Sequence, residues 1–170
     1  RSPILKKGLA LTPVKFGISF TLTHLNQAGA LVHVYQDGSV HLNHGGTEMG
    51  QGLFQKVAQV AAEELGIGLE RVHITATSTD KVPNTSATAA SSGTDLNGMA
   101  VQLAVREIKG RLTRFASETW KVSEEHITFR DDRVFIGNES IPFGELTKKA
   151  HAGRVHLSAA GFYKTPKLHW

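Results

Sequence analysis

Alternating apolar and polar positions between Ala28 and His44 predict a β-hairpin. An alternation with a period of two turns one face of each strand toward a core, and its apolar members are Val32, Val34, Val40 and Leu42. The turn between the two runs contains Asp37-Gly38, and an Asp-Gly pair in this position is a strong hairpin signal. Ahead of the hairpin, the β-branched and aromatic stretch from Val14 to Leu22 predicts another strand.

Apolar residues at helical spacing predict three helices. The first extends from about Leu53 to Leu65, and Gly66 and Gly68 mark its end, since glycine commonly terminates helices. The second extends from about Thr94 to Glu118, and the third from about Phe143 to Ala152. The apolar stripe of the second helix consists of Val101, Ala104, Val105, Ile108, Leu112 and Phe115.

Shorter apolar runs predict the remaining strands. These are Val72 to Ala76, a small hairpin of Ile127–Phe129 and Val134–Ile136 around Asp131-Asp132, and a last strand from Val155 to Ala160. The chain contains no internal repeat, low-complexity tract or linker. Helices and short strands in mixed order indicate an α+β fold.

Composition excludes several classes of function. The 170 residues are 40% hydrophobic and 20% charged, as in a globular protein. The net charge of +4 is scattered, with no basic stripe that would indicate nucleic-acid binding. The absence of cysteine excludes disulfides and a cysteine-ligated iron–sulfur cluster within the chain, and fits a cytoplasmic protein. No apolar run approaches the ~20 residues of a membrane span. We interpret both ends, Arg1 and Trp170, as cuts within something longer.

A glycine-rich loop from Gly45 to Gly52 precedes the first helix. Its four glycines let the backbone approach a ligand closely, and the first N–H groups of a helix favour an anion. Thr47 and Gln51 add side-chain donors. The loop is therefore either a cradle for a polar, anionic group or a tight turn with a helix cap. The Gly-Lys-Ser/Thr ending of a phosphate-binding P-loop is absent.

A second loop, Ser78 to Gly93, consists mainly of Ser, Thr, Asn and Ala. About sixteen residues is long for a connection in a compact domain, and such loops are usually functional or disordered. The loop precedes the second helix, for which Thr94 or Asp95 is the expected cap. It is either a second anion-binding helix start or a solvated, capped loop. Two such loops in one domain favour a large polar ligand held from two sides.

Several segments resemble the xanthine dehydrogenase branch of the molybdenum hydroxylases. They are Lys15-Phe16-Gly17-Ile18-Ser19-Phe20, Leu25-Asn26-Gln27-Ala28-Gly29-Ala30, the Gly45 to Gly52 loop, Val82 to Ser91, and Gly161-Phe162-Tyr163-Lys164-Thr165-Pro166. The resemblance covers essentially the whole chain in order. It implies that residues 1–170 are part of one molybdopterin-binding domain, with molybdenum held through the molybdopterin rather than by a protein side chain.

The resemblance also implies site residues. The cofactor-binding positions would be Met49, Gly50, Gln51, Ala90, Ser91, Ser92, Gly93 and Thr94. Of these, Gln51 would bind near the molybdenum oxo ligand, and the backbone of the others would hold the pterin and its phosphate. The substrate-binding positions would be Phe20, Thr21, Ala89 and Ala90, with Phe20 packed against a purine ring.

The implied full enzyme hydroxylates hypoxanthine and xanthine to urate with water as the oxygen source. Its electrons would pass through [2Fe-2S] clusters and FAD to NAD, with those centres in other segments or subunits, and the whole would form a dimer. The family's catalytic glutamate lies in a Gly-Glu-Pro-Pro-like motif that is absent here, since Gly144-Glu145-Leu146 lacks the prolines. The family's arginine-containing loop, with a second ring-packing phenylalanine, is absent too. The alternatives are an aldehyde oxidase-type hydroxylase or a non-catalytic cofactor-binding fragment.

Two other polar features near the first loop have a structural interpretation. His41 and His44 are residues of a type that can bind zinc, but residues three apart on a strand lie on opposite faces, which argues against a shared zinc site. Glu48 resembles a general base by type, but its place within the loop favours a role in fixing the loop.

Overall fold

The α+β fold is confirmed in a computed structural model that describes residues 2–14 and 17–167. In chain order the elements are β1 (Gln27–Val34), β2 (Val40–His44), α1 (Leu53–Leu65), β3 (Val72–Ile74), α2 (Gly93–Trp120), β4 (Ile127–Arg130), β5 (Arg133–Ile136), β6 (Glu139–Pro142), α3 (Phe143–Ala152) and β7 (Ser158–Lys164). Single 3-10 turns lie at Thr23–Leu25, Leu69–Arg71 and Glu124–His126. Within the described ranges no helix is both long and apolar enough to cross a lipid bilayer.

The predicted hairpin forms the centre of a four-stranded sheet. The strand order is β3-β2-β1-β7, with β1 antiparallel to β2 and β7, and β2 parallel to β3. The turn is as expected from the sequence, since the Tyr35 amide donates to the Ser39 carbonyl at 2.8 Å and Gly38 has a φ of 84°. The hairpin places the end of β2 directly before the first glycine-rich loop.

Helices α1 and α2 cover one face of this sheet. The buried residues of β1 on that face include Ala28 and Ala30, whose small side chains let the helix layer approach closely. The approach is closest at Gly161 of β7, where a Cβ atom would lie 1.9 Å from the Ala100 carbonyl oxygen of α2. No side chain fits there, so the glycine sets the distance between helix and sheet.

A second, three-stranded sheet of order β4-β5-β6 packs beside α3. The hairpin predicted around Asp131-Asp132 is confirmed, and both turn residues have positive φ. Strand β6 was not predicted. Pro142, at its end, ends the strand because proline has no N–H to donate to a ladder, and the sequence pattern there indicated only the start of α3.

Two of the three helices have the predicted bounds, whereas α2 starts at a different residue from the one predicted. Helices α1 and α3 begin and end at the residues expected from their apolar spacing. Helix α2 begins at Gly93 with Ser92 as its N-cap residue, so the prediction that Thr94 or Asp95 caps it is wrong. The cause is the backbone ahead of it, because Ala90 and Ser91 both adopt the left-handed conformation and turn the chain into the helix one residue early.

Two strand predictions need correction. The last strand is Ser158–Lys164 rather than residues 155–160, because the Val155 amide still donates to the Ala150 carbonyl at the end of α3 and the chain pairs with β1 only afterwards. The strand predicted from Val14 to Leu22 is wrong for residues 17–22, where Ser19 has a φ of 97°. Lys15 and Phe16 lie outside the described residues.

Candidate functional site

Two loops meet at a cleft between the N-terminal ends of α1 and α2. Loop 1 (residues 45–52) joins β2 to α1, and loop 2 (residues 78–92) ends at the start of α2. The cleft has a volume of about 370 Å³, within the range of ~300–1,000 Å³ typical of small-molecule sites. It is lined by Met49, Gln51, Leu53, Lys56, Thr88, Ala89, Ser91, Gly93 and Thr94.

The two loops are packed against each other. The Thr47 amide of loop 1 donates to the Thr88 hydroxyl of loop 2 at 2.8 Å. Gly45 lies so close to loop 2 that a Cβ atom there would be 1.9 Å from the Thr85 methyl carbon. Gly46 is enclosed in the same way, with Leu53, Asn97 and His44 at 2.5, 2.9 and 3.1 Å from the position of a Cβ atom. The loops therefore hold one another in place.

Glu48 occupies the helix start that the sequence suggested for an anion. Its carboxylate accepts hydrogen bonds from the amides of Phe54 at 3.0 Å, Gly50 at 2.8 Å and Gly52 at 3.0 Å. The Phe54 amide, followed by those of Gly52 and Gly50, holds the pKa of Glu48 below its usual value. The expectation that Glu48 fixes loop 1 is confirmed, and of the two alternatives for this loop the structure shows the tight turn with a capped helix start.

Gln51 folds back over its own loop. Its carboxamide oxygen accepts from the Met49 amide at 2.6 Å, and its nitrogen donates to the Thr47 carbonyl at 2.9 Å. A carboxamide nitrogen carries two N–H groups, so one donor of Gln51 is left for a ligand in the cleft. The two internal bonds fix the orientation in which that donor is presented.

The start of α2 is the better anion site. Ala90 and Ser91 have φ values of 52° and 54°, a conformation that is costly for residues with a Cβ atom. The Ser92 hydroxyl donates to the Ala89 carbonyl at 3.0 Å and makes no capping bond to the helix. The N-terminal residues Gly93 and Thr94 therefore line the cleft without a side-chain cap from Ser92. An uncapped helix start favours a negatively charged group.

Lys56 adds a positive charge to the same cleft. It lies in the first turn of α1, is exposed, and faces the space between the loops. Lys56 was not among the predicted site residues, and neither were the cleft residues Leu53 and Thr88. The position of Lys56 was foreseeable, because a lysine in the first turn after a ligand-binding loop stays close to that loop.

The other predicted site residues lie close to the cleft or beside loop 2. Gly50 neighbours the cleft residues Met49 and Gln51, whereas Ser92 is buried between the cleft residues Ser91 and Gly93 of the chain. Phe20 is half-buried and Thr21 is exposed. The preceding residue, Ser19, donates its amide to the Ala90 carbonyl at 3.0 Å. The fold therefore brings the segment that carries Phe20 against loop 2.

The two histidines of β2 point to opposite faces of the sheet. The His41 ring lies 6.1 Å from the ring of His33 on the neighbouring strand, whereas the His44 ring contacts Phe54 of α1 in an edge-to-face arrangement at 5.1 Å. Among the described residues, no group of three or more His, Asp or Glu side chains is arranged to hold a metal ion.

His44 is a buried support for loop 1. It is 1% exposed, and its Nδ1 atom accepts a hydrogen bond from the Gly46 amide at 3.0 Å. The neutral ring must then carry its proton on Nε2, which has no partner among the described residues. Burial lowers the pKa of His44 to about 4, because a second proton would place an unpaired charge in the interior. A single neutral tautomer of His44 thus contacts both Gly46 of loop 1 and Phe54 of α1.

Acidification is therefore expected to loosen loop 1. The unfolded chain binds a proton at His44 near the ordinary pKa of 6.5 and the folded chain only near about 4, so the stabilisation is complete above pH 6.5 and declines as the pH falls toward 4. Between pH 7.5 and pH 5 the loss is about 2 kcal/mol. Hydrogen-exchange mass spectrometry on the full-length protein, corrected for intrinsic rates, should detect it in peptides that cover residues 40–54.

The variant His44→Asn serves as the control. Its side-chain oxygen can still accept from the Gly46 amide, but it does not titrate. Exchange in residues 40–54 should depend much less on pH in this variant than in the wild type. The same pH dependence in both proteins would contradict the role given to His44.

The whole chain matches a known family. Residues 1–170 match the model of the molybdopterin cofactor-binding domain. The chain belongs to this family. The cleft of the molybdopterin-binding chain fits such a cofactor, since an uncapped helix start and Lys56 suit a phosphate, while Gln51 and the loop 1 backbone offer neutral donors.

Curated relatives extend far beyond this chain. A xanthine dehydrogenase of Blastobotrys adeninivorans is 51% identical over 164 residues, which is 96% of this chain and 10% of that protein. The nicotinate hydroxylase of Emericella nidulans is 48% identical over 164 residues, 96% of this chain and 11% of that protein. The chain thus spans about a tenth of the length of these relatives.

The fold also matches that of solved structures. The quinoline 2-oxidoreductase of Pseudomonas putida 86 superimposes with a TM-score of 0.77 over 84% of this chain and 19% of its own, at 24% sequence identity. The predicted fold class, and the predicted resemblance to the xanthine dehydrogenase branch, are both confirmed.

Proposed function

We propose that residues 1–170 form part of the single molybdopterin-binding domain of a xanthine dehydrogenase-type hydroxylase. The observation that carries the proposal is the cleft itself, which is built from both loops and borders the Phe20 segment through the bond between Ser19 and Ala90. The cleft itself offers groups for a large anionic cofactor, and in this proposal Phe20, on the neighbouring segment, supplies an aromatic ring for a flat substrate.

In this proposal the chain's own residues bind and orient the cofactor. Met49 and Gly50 contribute backbone groups. Residues 90–94, which lead into and begin α2, hold the phosphate, and Lys56 supplies the opposite charge. The remaining N–H of Gln51 would be available to donate to the cofactor. When bound, the molybdenum supplies the redox chemistry of a hydroxylation that takes its oxygen from water. The protein contributes position and electrostatics.

The proposed substrates are the purines hypoxanthine and xanthine, converted to urate. Phe20 packs against the ring, Thr21 hydrogen-bonds to it, and Ala89 and Ala90 keep the adjoining space open. Relatives of similar identity carry the names xanthine dehydrogenase and nicotinate hydroxylase, and both named substrates are flat nitrogen heterocycles.

The remaining machinery is proposed to lie outside residues 1–170. It comprises the catalytic glutamate, the arginine loop, the [2Fe-2S] clusters and FAD that pass electrons to NAD, and the rest of the subunit. The chain has no cysteine with which to hold a cluster. We place the full protein in the cytoplasm as a dimer.

A substrate comparison on the full-length protein tests this function. Xanthine, nicotinate and acetaldehyde are assayed side by side, with rates normalised to bound molybdenum. Preferred turnover of xanthine supports the proposal. Preference for acetaldehyde would favour an aldehyde oxidase, preference for nicotinate a different heterocycle hydroxylase, and no turnover despite bound molybdenum a non-catalytic role.

Gln51→Ala in the full-length protein is expected to lower turnover or molybdenum content at least several-fold with little change in melting temperature. The side chain is exposed and its two bonds lie within loop 1, so the global fold does not depend on it. The exposed Gln55, in the first turn of α1, provides the matched control Gln55→Ala. Earlier unfolding with normal turnover per molybdenum would show that Gln51 is structural.

A further inference from the structure

Phe20 lies in a segment, residues 17–22, that forms neither a strand nor a helix. Among the described residues, the hydrogen bonds that hold Ser19 and Phe20 are one from the Ser19 amide to the Ala90 carbonyl at 3.0 Å and two between the Phe20 backbone and the side chain of Asn26. The place of the Phe20 ring relative to the cleft therefore depends on these few contacts.

Asn26 grips the Phe20 backbone at two points. Its side-chain oxygen accepts from the Phe20 amide at 2.8 Å, and its side-chain nitrogen donates to the Phe20 carbonyl at 2.8 Å. A single hydrogen bond leaves the partner free to rotate, whereas two bonds from one planar carboxamide fix both distance and orientation. Only a side chain with a donor and an acceptor side by side can do this.

Asn26 is itself held firmly in place. Asn26 is 1% exposed and directly precedes β1, the central strand of the main sheet. Its own amide donates to the Thr23 carbonyl at 3.0 Å, and its carbonyl accepts from the Thr165 amide at 3.1 Å. Both backbone groups and both side-chain groups are thus engaged, which ties Phe20 to the sheet.

We propose that Asn26 is a positioning residue that determines specificity for flat ring substrates, by holding Phe20 and Thr21 beside loop 2. The proposal rests on the proposed function, in which Phe20 packs against the substrate ring. Asn26 itself touches neither substrate nor cofactor. A substrate too small to reach Phe20 should not depend on it.

The test compares Asn26→Ala and Asn26→Asp with the wild type in the full-length protein. The alanine loses both bonds, whereas the aspartate keeps the volume and the acceptor but places an oxygen opposite the Phe20 carbonyl. Both variants are expected to raise the KM for xanthine about tenfold and to weaken calorimetric binding of urate similarly. Molybdenum content and the kcat/KM for acetaldehyde should change less than twofold. If the alanine variant does not accumulate, the aspartate variant carries the same test.

Asn43→Ala is the matched control for lost stability. Asn43 is 4% exposed and its side chain accepts a hydrogen bond from the Thr75 hydroxyl, with no bond to Phe20. Its loss should affect xanthine and acetaldehyde equally. Equal losses for both substrates in the Asn26 variants, or an unchanged KM for xanthine, would overturn the proposal. A wild-type protein that turns over no ring substrate would instead refute the proposed function.

Discussion

Gly45→Ala in the full-length protein is expected to lower molybdenum occupancy by at least about tenfold. The new Cβ atom would lie 1.9 Å from the Thr85 methyl carbon and 2.7 Å from the Thr85 Cβ atom. Rotation of the threonine cannot relieve the second contact, so the backbone of loop 2 must move away from loop 1. Overpacking of this kind commonly costs ~1–3 kcal/mol, and about 1.4 kcal/mol is a factor of ten in an equilibrium constant.

A second substitution identifies the cause. Adding Thr85→Gly to Gly45→Ala removes the atoms that clash, so molybdenum content by metal analysis should recover at least in part. Gly110→Ala is the neutral control, because no atom lies within 4 Å of a Cβ atom there and alanine is a better helix former than glycine. Normal occupancy in Gly45→Ala alone would show that the contact between the loops does not support the cofactor.

The parts of the fold that sequence predicted are those set by local pattern. Helix α1 has the expected bounds because its apolar spacing, and the left-handed Gly66 that ends it, are local features. The hairpin of β1 and β2 forms around its Asp-Gly turn for the same reason. A pattern of this kind requires no knowledge of distant contacts.

The parts that failed depend on contacts between distant residues. Residues 17–22 have strand-like composition, but Asn26 and Ala90 take up the hydrogen bonds that a strand would use. Strand β7 is displaced because its register follows β1, more than a hundred residues earlier in the chain. Composition cannot anticipate either effect.

The candidate site was predictable as two loops but not in its electrostatics. The pattern of loop 1 left open whether the start of α1 binds an anion or is capped, and the structure shows Glu48 bound to the amides of Phe54 and Gly52. The predicted start of α2 was too late because Ala90 and Ser91 are left-handed, and alanine and serine, unlike the Asp131-Asp132 pair, belong to residue types that do not signal this conformation. The availability of backbone N–H groups therefore depends on contacts that the sequence does not specify, and of the two helix starts proposed for an anion the structure favours that of α2.

Ala90→Val is expected to lower the kcat/KM for xanthine at least about tenfold, with the fold retained. Ala90 has a φ of 52°, and a β-branched residue in that conformation is a genuine outlier that costs on the order of 1–3 kcal/mol. The change would shift the Ala90 carbonyl that accepts from Ser19 and would place two methyl groups where the proposed ring substrate lies. Acetaldehyde, which does not fill the ring position, should be affected less.

Two variants separate backbone strain from lost space. Ala90→Gly relieves the left-handed conformation without adding atoms, so it should retain acetaldehyde turnover and molybdenum content. Ala87→Val adds the same bulk at an exposed position of the same loop and should leave both substrates nearly unaffected. The measurement is turnover of xanthine and acetaldehyde, each normalised to bound molybdenum. Equal losses for both substrates in Ala90→Val would mean that the residue supports the cofactor rather than the ring, because displacement of the cofactor affects every substrate alike. No loss with either substrate would show that Ala90 is not part of the site.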